Sequence, residues 1–399
     1  MAASFSLGRL PRITFGPGVF ASVPEVVASH GHRVLLVTGG RSLATSGRRE
    51  VLLAGLEAAG VALAGEVAVT NEPSPAVVDA AVAAHRGSAV DVVLGVGGGS
   101  VIDAAKAIAA LLRTGSSVVD HLEGLPGMRP YDGPSVPFVA VPTTAGTGSE
   151  ATRNAVISER GPAGYKRSFR DERLVAADAV VDPDLLAGND PVGIAANGMD
   201  ALTQLLEAYT SLRAGPLTDA LALSGLEAAR DGLVAWHANP DGPGAAEARS
   251  CMAYAALVSG ICLAHAGLGA VHGLASPLGA QFPVPHGAAC GATLGAVTEA
   301  NIGALAARAP DSPALARYAT LGRLVAGLPE TSGGAEARGA LVVTLTEWTA
   351  ALRVPRLRAF GIRESDIPAI VADARGSSMR TNPVVLTDEE ISGILAATI

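Results

Sequence analysis

Residues 91–106 read Asp91-Val-Val-Leu-Gly-Val-Gly97-Gly98-Gly99-Ser100-Val-Ile-Asp103-Ala-Ala-Lys106: a strand, a glycine turn and the start of a helix. The run Val92 to Val96 has no polar face, which is expected of a strand covered on both sides in a parallel sheet. Glycines at 97, 98 and 99 let the backbone come close to a phosphate. A helix opening at Ser100, with that serine as its expected cap, offers free N–H groups and a positive dipole end to an anion. The pattern is not GxGxxG, because its last position is Ser100. No acidic residue at the right distance belongs to an obvious next strand, so the dinucleotide fingerprint in its strict form is not met. The turn is either a phosphate cradle or a tight strand-to-helix turn with an ordinary cap, and phosphate binding is the favoured reading.

On either side the chain alternates β-branched runs with Ala-rich helical stretches. Strands are expected at 33–38, within 61–69, at 90–96 and at 136–141; helices are expected at 46–59, 76–85 and 100–112. This alternation predicts a parallel sheet with helices on both faces, and such sheets bind ligands at the carboxyl ends of their strands. After the strand at 136–141 comes Pro142-Thr143-Thr144-Ala145-Gly146-Thr147-Gly148-Ser149-Glu150. Alone it is a capping loop, since Ser and Thr favour turns. Beside the glycine turn, its hydroxyls favour a dinucleotide. From about Asp190 onward the periodicity is helical, with little strand signal. The fold class is therefore an α/β N-terminal domain with a parallel, Rossmann-like sheet (1–188, dinucleotide-binding) and an all-α C-terminal domain (189–399, metal and substrate). The cleft between two such domains is the default ligand site.

Composition narrows the function. Of 399 residues, 49% are hydrophobic and 17% charged, so much of the chain must be internal. A net charge of −8 argues against a nucleic-acid partner, which selects basic surfaces. The three cysteines, Cys251, Cys262 and Cys290, fall at no metal-type spacing and read as reduced core thiols, consistent with a cytoplasmic protein. No N-terminal apolar targeting segment is visible. Residues 250–298 contain no Asp, Glu, Lys or Arg, yet carry His265, His272 and His286. Pro277, Pro283 and Pro285 and the missing basic flanks argue against a membrane span there. Imidazoles in apolar surroundings need partners, since an unpaired buried polar group costs about 1–3 kcal/mol.

A metal supplies one answer. Asp200 and Gln204 are four residues apart and share a helix face. A carboxylate with the imidazoles of His272 and His286 is a common set for a divalent metal with open positions, and Gln204 could add a weak carbonyl ligand. Taken singly, each histidine is better read as a hydrogen-bonded core side chain, and Asp200 as a helix cap.

Taken together, the chain resembles the iron-containing (group III) alcohol dehydrogenase family. The resemblance rests on Phe15-Gly16-Pro17-Gly18, GGGSVIDAAK at 97–106, PTTAGTGSE at 142–150, DPDLL at 182–186, GMDALTQLLEAY at 198–209, GLGAVHGLASPLGA at 267–280, VPHG at 284–287 and TNP at 381–383. It implies the architecture shared with dehydroquinate synthases and a divalent metal, Fe(II) or Zn(II). The implied chemistry is NAD(P)-dependent hydride transfer between the nicotinamide and a small aldehyde, ketone or alcohol, in a homodimer. By position it implies Asp200, His272 and His286 as metal ligands, Gly98, Gly99 and Ser100 as the pyrophosphate cradle, Thr143, Thr144 and Thr147 as the adjoining loop, and Lys166 near the ribose.

The sequence departs from the family pattern at three places. Gln204 stands where members commonly have a fourth ligand, His. Ser276 stands where many have a histidine beside the nicotinamide, so a proton relay would need Ser276 with water or another group such as His265. Gly39 stands where NAD-preferring members often have an acid. That change, with Arg41 nearby, favours NADP(H) over NAD(H). Two alternatives share the fold: a metal-independent reductase like the maleylacetate reductases, and a lyase or cyclase like the dehydroquinate synthases, without net nicotinamide turnover. No catalytic residue beyond the metal ligands is assigned.

Overall fold

The computed structural model describes residues 5–40, 42–160 and 164–399. The chain divides into two compact units. Gly8–Ala187 forms one; Gly188–Ile399 forms the other, and residues 5–7 group with the second rather than with the sheet that follows them.

The first unit is built on a six-stranded sheet, β1 (Arg12–Phe15), β2 (Arg33–Gly39), β3 (Ala62–Val69), β4 (Val92–Gly97), β5 (Phe138–Pro142) and β8 (Asp178–Val181), in the order β1-β8-β5-β4-β2-β3. Every pairing is parallel. The alternation of side chains along each strand sorts the core into two layers. Leu35 and Val37 of β2, Val93 of β4 and Phe138 and Ala140 of β5 pack with α4 (Pro75–His85) and α5 (Gly99–Thr114). Val34, Leu36, Val92, Leu94, Val96, Val139 and Val141 point the other way, against α1 (Val23–Ala28) and α3 (Arg48–Ala58). The short α2 (Ser42–Thr45) follows β2. All of β4 is buried, which accounts for its unbroken apolar run.

Sequence patterning misses part of this unit. β1 and β8 are four residues each, too short for a period to show. An antiparallel hairpin, β6 (Asn154–Glu159) with β7 (Tyr165–Arg170), was not expected. Its second strand, YKRSFR, carries three basic residues, and only Phe169 is fully buried in it.

The second unit is helical throughout its described residues: α6 (Pro191–Thr210), α7 (Pro216–Ala238), α8 (Ala245–Ala266), α9 (Ala270–Gln281), α10 (His286–Arg308), α11 (Pro313–Val325), α12 (Gly334–Ala351), α13 (Ile367–Asp373) and α14 (Asp388–Thr398). α6 opens with Asp190 as N-cap, its carboxylate accepting from the Gly193 N–H at 2.7 Å, and with Pro191 in the first turn. From Gly198 onward the helix is buried on every side. Glycines let its neighbours close in: a Cβ on Gly287 would sit 1.9 Å from the Ala196 carbonyl oxygen, so α10 and α6 touch backbone to backbone there. No single helix among the described residues is long and apolar enough to cross a membrane. Ala245–Ala266 and Ala270–Gln281 pass that test only as a pair, and the chain bends by 100° between them.

Candidate functional site

The glycine turn lies at the carboxyl end of β4, and α5 begins one residue earlier than its pattern suggests. Gly98, not Ser100, is the N-cap, and no side chain caps the helix. Ser100 therefore sits inside the first turn. A bare N-cap leaves the first N–H groups of α5 for an external anion, which is what a phosphate cradle requires. The expected threonine loop closes against it. A Cβ on Gly99 would lie 2.6 Å from Thr147 Oγ1, and one on Gly98 3.2 Å from Thr144 Oγ1. Thr143 N–H donates to the Gly97 carbonyl at 2.9 Å, tying the loop to the turn. These glycines are required by a threonine side chain as much as by any ligand.

Lys106 fixes this arrangement. It is fully buried and its ammonium donates to Ser149 O (2.8 Å), Ser149 Oγ (3.1 Å), Thr152 Oγ1 (2.9 Å) and Asn154 O (2.7 Å). Asp103, one turn back on α5, lies 3.7 Å away, accepts from Ser149 Oγ, and accepts from the Val156 N–H at 3.0 Å. Burial lowers the lysine to about 8, partly offset by Asp103 and Glu150. Glu150 is buried, and desolvation pushes its carboxyl up to about 7, with Lys106 opposing. A folded carboxyl that keeps its proton to higher pH than the unfolded one loses stability as pH rises from 4.5 to about 7. Glu150→Gln should therefore gain on the wild type by up to about 3 kcal/mol across that window. Urea midpoints of both proteins at about pH 5 and pH 8 measure it, and an equal gap at the two pH values would refute it.

The remaining nucleotide candidates are placed as follows. Lys166, on β7, donates to Glu72 at 2.8 Å. Gly39 ends β2, with Val101 Cγ2 3.6 Å from where its Cβ would be. Arg41 lies outside the described residues.

In the second unit three helices bring four donor side chains together. Asp200 comes from α6, His272 from α9, and His286 and Cys290 from α10; one ligand atom of each lies within 4.8 Å of all the others. His272 Nε2 is 3.2 Å and His286 Nε2 3.7 Å from Asp200 Oδ1, with the imidazole centroids 5.3 Å apart. Cys290 Sγ is 3.8 Å from Asp200 Oδ1, 3.9 Å from His272 Nε2 and 4.0 Å from His286 Nε2. Asp200 is 2% exposed and His272 7%. Burial alone would raise Asp200, but His286, His272 and Gln204 together hold it down to about 2. Burial works against a charged His272, yet it titrates well above its ordinary value. Cys290 is pushed up by burial to about 11 and is a thiol at neutral pH. The carboxylates of Asp200 and Glu207 are then what favour the imidazolium. Two imidazole nitrogens and a carboxylate oxygen meeting out of water are the donor set of a divalent cation, which would take the place of the His272 proton.

Gln204 is beside this cluster with its amide nitrogen toward it: Nε2 donates to Asp200 Oδ1 at 3.4 Å, and Oε1 accepts from Ser259 Oγ at 3.0 Å. His265 is elsewhere in the unit. Its Nδ1 contacts the Ile261 carbonyl at 2.7 Å, and it lines a cavity of about 240 Å³ with Phe5, Arg213 and Leu217. Ser276 lies in α9 just before Pro277.

Two supporting residues were not anticipated. Glu207, two turns after Asp200 on α6, accepts from His272 Nδ1 at 2.7 Å through Oε2, and from the Val271 N–H at 2.6 Å through Oε1. One carboxylate thus caps α9 and selects which imidazole nitrogen faces Asp200. The signal was present, since positions 200, 204 and 207 share a helix face. Asn382 supports the same turn: its Oδ1 accepts from the Ala270 N–H at 3.1 Å, and its Nδ2 donates to Asn301 Oδ1 at 2.7 Å. Thr381 Oγ1 donates to the Leu268 carbonyl at 2.5 Å. The TNP motif therefore braces the start of the His272 helix. Glu207→Gln should weaken Zn(II) affinity by about 10–100-fold, the usual cost of losing such a partner. Competitive chelator titration reads this, and an unchanged affinity would show that His272 is oriented without Glu207.

Comparison with known proteins gives the family of the chain. Residues 11–183 match the family profile described as iron-containing alcohol dehydrogenase, and residues 194–399 match the C-terminal profile of the same family. The chain is 31% identical over 363 residues to lactaldehyde reductase of Escherichia coli, covering 90% of each protein. It is 30% identical to the NAD-dependent methanol dehydrogenase of Bacillus methanolicus, covering 96% of this chain and 97% of that one. A crystal structure of a 1,3-propanediol oxidoreductase superposes over the whole of both chains with a TM-score of 0.88 at 28% identity. With family profiles matching both units and relatives of this identity spanning nearly its full length, the chain belongs to the iron-containing alcohol dehydrogenase family.

Proposed function

We propose that this oxidoreductase reduces a small aldehyde or ketone, and oxidises the corresponding alcohol, at a divalent cation held by Asp200, His272 and His286. The convergence of those three side chains in a buried pocket carries the reading. A cation there supplies Lewis-acid polarisation of the substrate oxygen. A nicotinamide cofactor supplies or accepts the hydride.

The chain's own residues prepare the site for both. Asp200 stays ionised at any physiological pH and so always offers a charged donor. Glu207 accepts a hydrogen bond from His272 Nδ1, which turns Nε2 toward the shared position. The bare N-cap at Gly98 and the threonines packed on Gly98 and Gly99 would hold the pyrophosphate. Lys106, bonded to Ser149, Thr152 and Asn154, keeps the threonine loop at the height of the cradle. With Ser276 in place of an imidazole, the proton reaching the product oxygen comes from a hydroxyl or water.

The chain would prefer the phosphorylated cofactor, NADP(H). β2 ends in Gly39, so no carboxylate stands at that position to repel a 2′-phosphate. The test is NADPH and NADH consumption with short aldehydes, hydroxyaldehydes and keto acids, with Fe(II) or Zn(II) supplied. Turnover with kcat/KM higher for NADPH is expected. A ratio favouring NADH would overturn the cofactor preference alone, and no turnover with any metal or carbonyl would overturn the reading as a whole.

A further inference from the structure

We propose that Cys290, not Gln204, supplies the fourth protein ligand, giving an Asp-His-His-Cys set that selects Zn(II) over Fe(II). The inference rests on the metal site proposed above and concerns how that site is completed.

Bonds of about 2.0–2.1 Å to oxygen and nitrogen and about 2.3 Å to sulfur fix the edges of a tetrahedron at roughly 3.3–3.6 Å. Five of the six edges are 3.2 Å (His272 to Asp200), 3.7 Å (His286 to Asp200), 3.8 Å (Cys290 to Asp200), 3.9 Å (Cys290 to His272) and 4.0 Å (Cys290 to His286), and the sixth, His272 to His286, lies within 4.8 Å. The sulfur is thus nearly equidistant from the other three donors, as a vertex must be, and each of its three edges needs a contraction of only a few tenths of an ångström. As a thiol the same sulfur donates to Asp200 Oδ1, so a cation would replace that proton without moving the side chain far.

Backbone geometry delivers the sulfur. His286 and Cys290 are four apart on α10, so they share a face. Gly287 lets that face press onto α6, where Asp200 lies. Gln204 presents its amide nitrogen to Asp200, a group with no lone pair for a metal, while its oxygen is held by Ser259.

The chemistry of the donor sets the metal. Binding replaces the thiol proton with the cation, so the proton leaves to solvent and the sulfur remains as a bound thiolate. Thiolate is a soft ligand, and a tetrahedral set of one oxygen, two nitrogens and one sulfur suits zinc better than iron(II), which favours harder donors and more of them. A filled fourth protein position also means that the substrate oxygen enters by expanding the coordination number or by displacing one donor.

Cobalt(II) distinguishes the possibilities, because a cobalt–thiolate bond gives a near-ultraviolet charge-transfer band that oxygen and nitrogen ligands do not. The full-length protein is stripped with chelator and titrated with Co(II) and with Zn(II), alongside Cys290→Ser and Gln204→Ala. Wild type and Q204A should both show the band. C290S should lose it and bind Zn(II) at least about tenfold more weakly. A wild-type protein that binds Co(II) without the band, with C290S unchanged in affinity, overturns the thiolate ligand and leaves the Asp200, His272 and His286 site standing. A band that survives in C290S also overturns it. A wild-type protein that takes up neither metal overturns both this inference and the site on which it rests.

Discussion

Asp200→Ala should strip the protein of its divalent metal and lower carbonyl reduction by about a thousandfold or more. Asp200 is the only carboxylate among the four converging donors, and it lies between 3.2 and 3.8 Å from each of the other three. Losing it removes both a ligand and the charge that offsets a dication out of water. Lewis-acid stabilisation worth several kcal/mol corresponds to about three powers of ten in rate. The variant also removes the carboxylate that both imidazoles face, leaving Glu207 as the anion on His272. Metal content after dialysis and kcat/KM for the best carbonyl substrate are the two readouts, with circular dichroism to establish that the helices remain. A folded D200A that kept its metal and its turnover would show that the cation sits elsewhere. Asp200→Asn, which keeps the shape and one weak donor, should fall between wild type and D200A.

Gly287→Ala is expected to have the largest effect of any single methyl added to the helical unit's metal region. Its Cβ would be placed 1.9 Å from the Ala196 carbonyl oxygen and 2.5 Å from the carbonyl carbon. Those atoms belong to the backbone of α6 and cannot rotate away, so the two helices must separate. Overpacking of this kind costs typically about 1–3 kcal/mol, and here the separation also moves His286, the adjacent residue, from Asp200. Gly303, on the same helix, has nothing within 4 Å of the corresponding position. Gly303→Ala should stabilise by about 0.5–1 kcal/mol through the ordinary helix preference for alanine. Thermal midpoints should therefore move in opposite directions for two identical substitutions on one helix, and only G287A should lose metal. Equal midpoints for the two variants would mean that α10 and α6 do not meet at Gly287 as described.

The parts of the fold with a clean period were legible in the sequence. β2, β4, α4 and α5 all announce themselves, because each carries enough residues for burial on one or both faces to leave a pattern. β1 and β8 do not, since four residues cannot separate a strand from a loop. The hairpin β6–β7 was hidden because it is rich in polar residues with no clean alternation: Lys166 pairs with Glu72, while Glu159, Arg167 and Arg170 are exposed.

The candidate site was legible where resemblance supplied positions and illegible where geometry did. Ser100 looked like a cap because serine usually is one, but a helix start at Gly99 placed it inside the first turn. Cys290 is a buried free thiol, as its spacing from the other cysteines suggests. Measured against His286, it is one helical turn away. Asn382 acts through a helix start at Ala270 that no local pattern marks, so its role could not be read before the chain was folded, whereas Glu207 at least shares a helix face with Asp200.

The brace on the His272 helix also fixes a timetable for biogenesis. Asp200 is synthesised well before Thr381 and Asn382, which hold the turn at 267–272. The sheet of Gly8–Ala187 can form as it emerges. The brace on that turn has to wait until residue 382 has left the ribosome, and a nascent chain halted before residue 381 would contain Asp200, His272 and His286 without it.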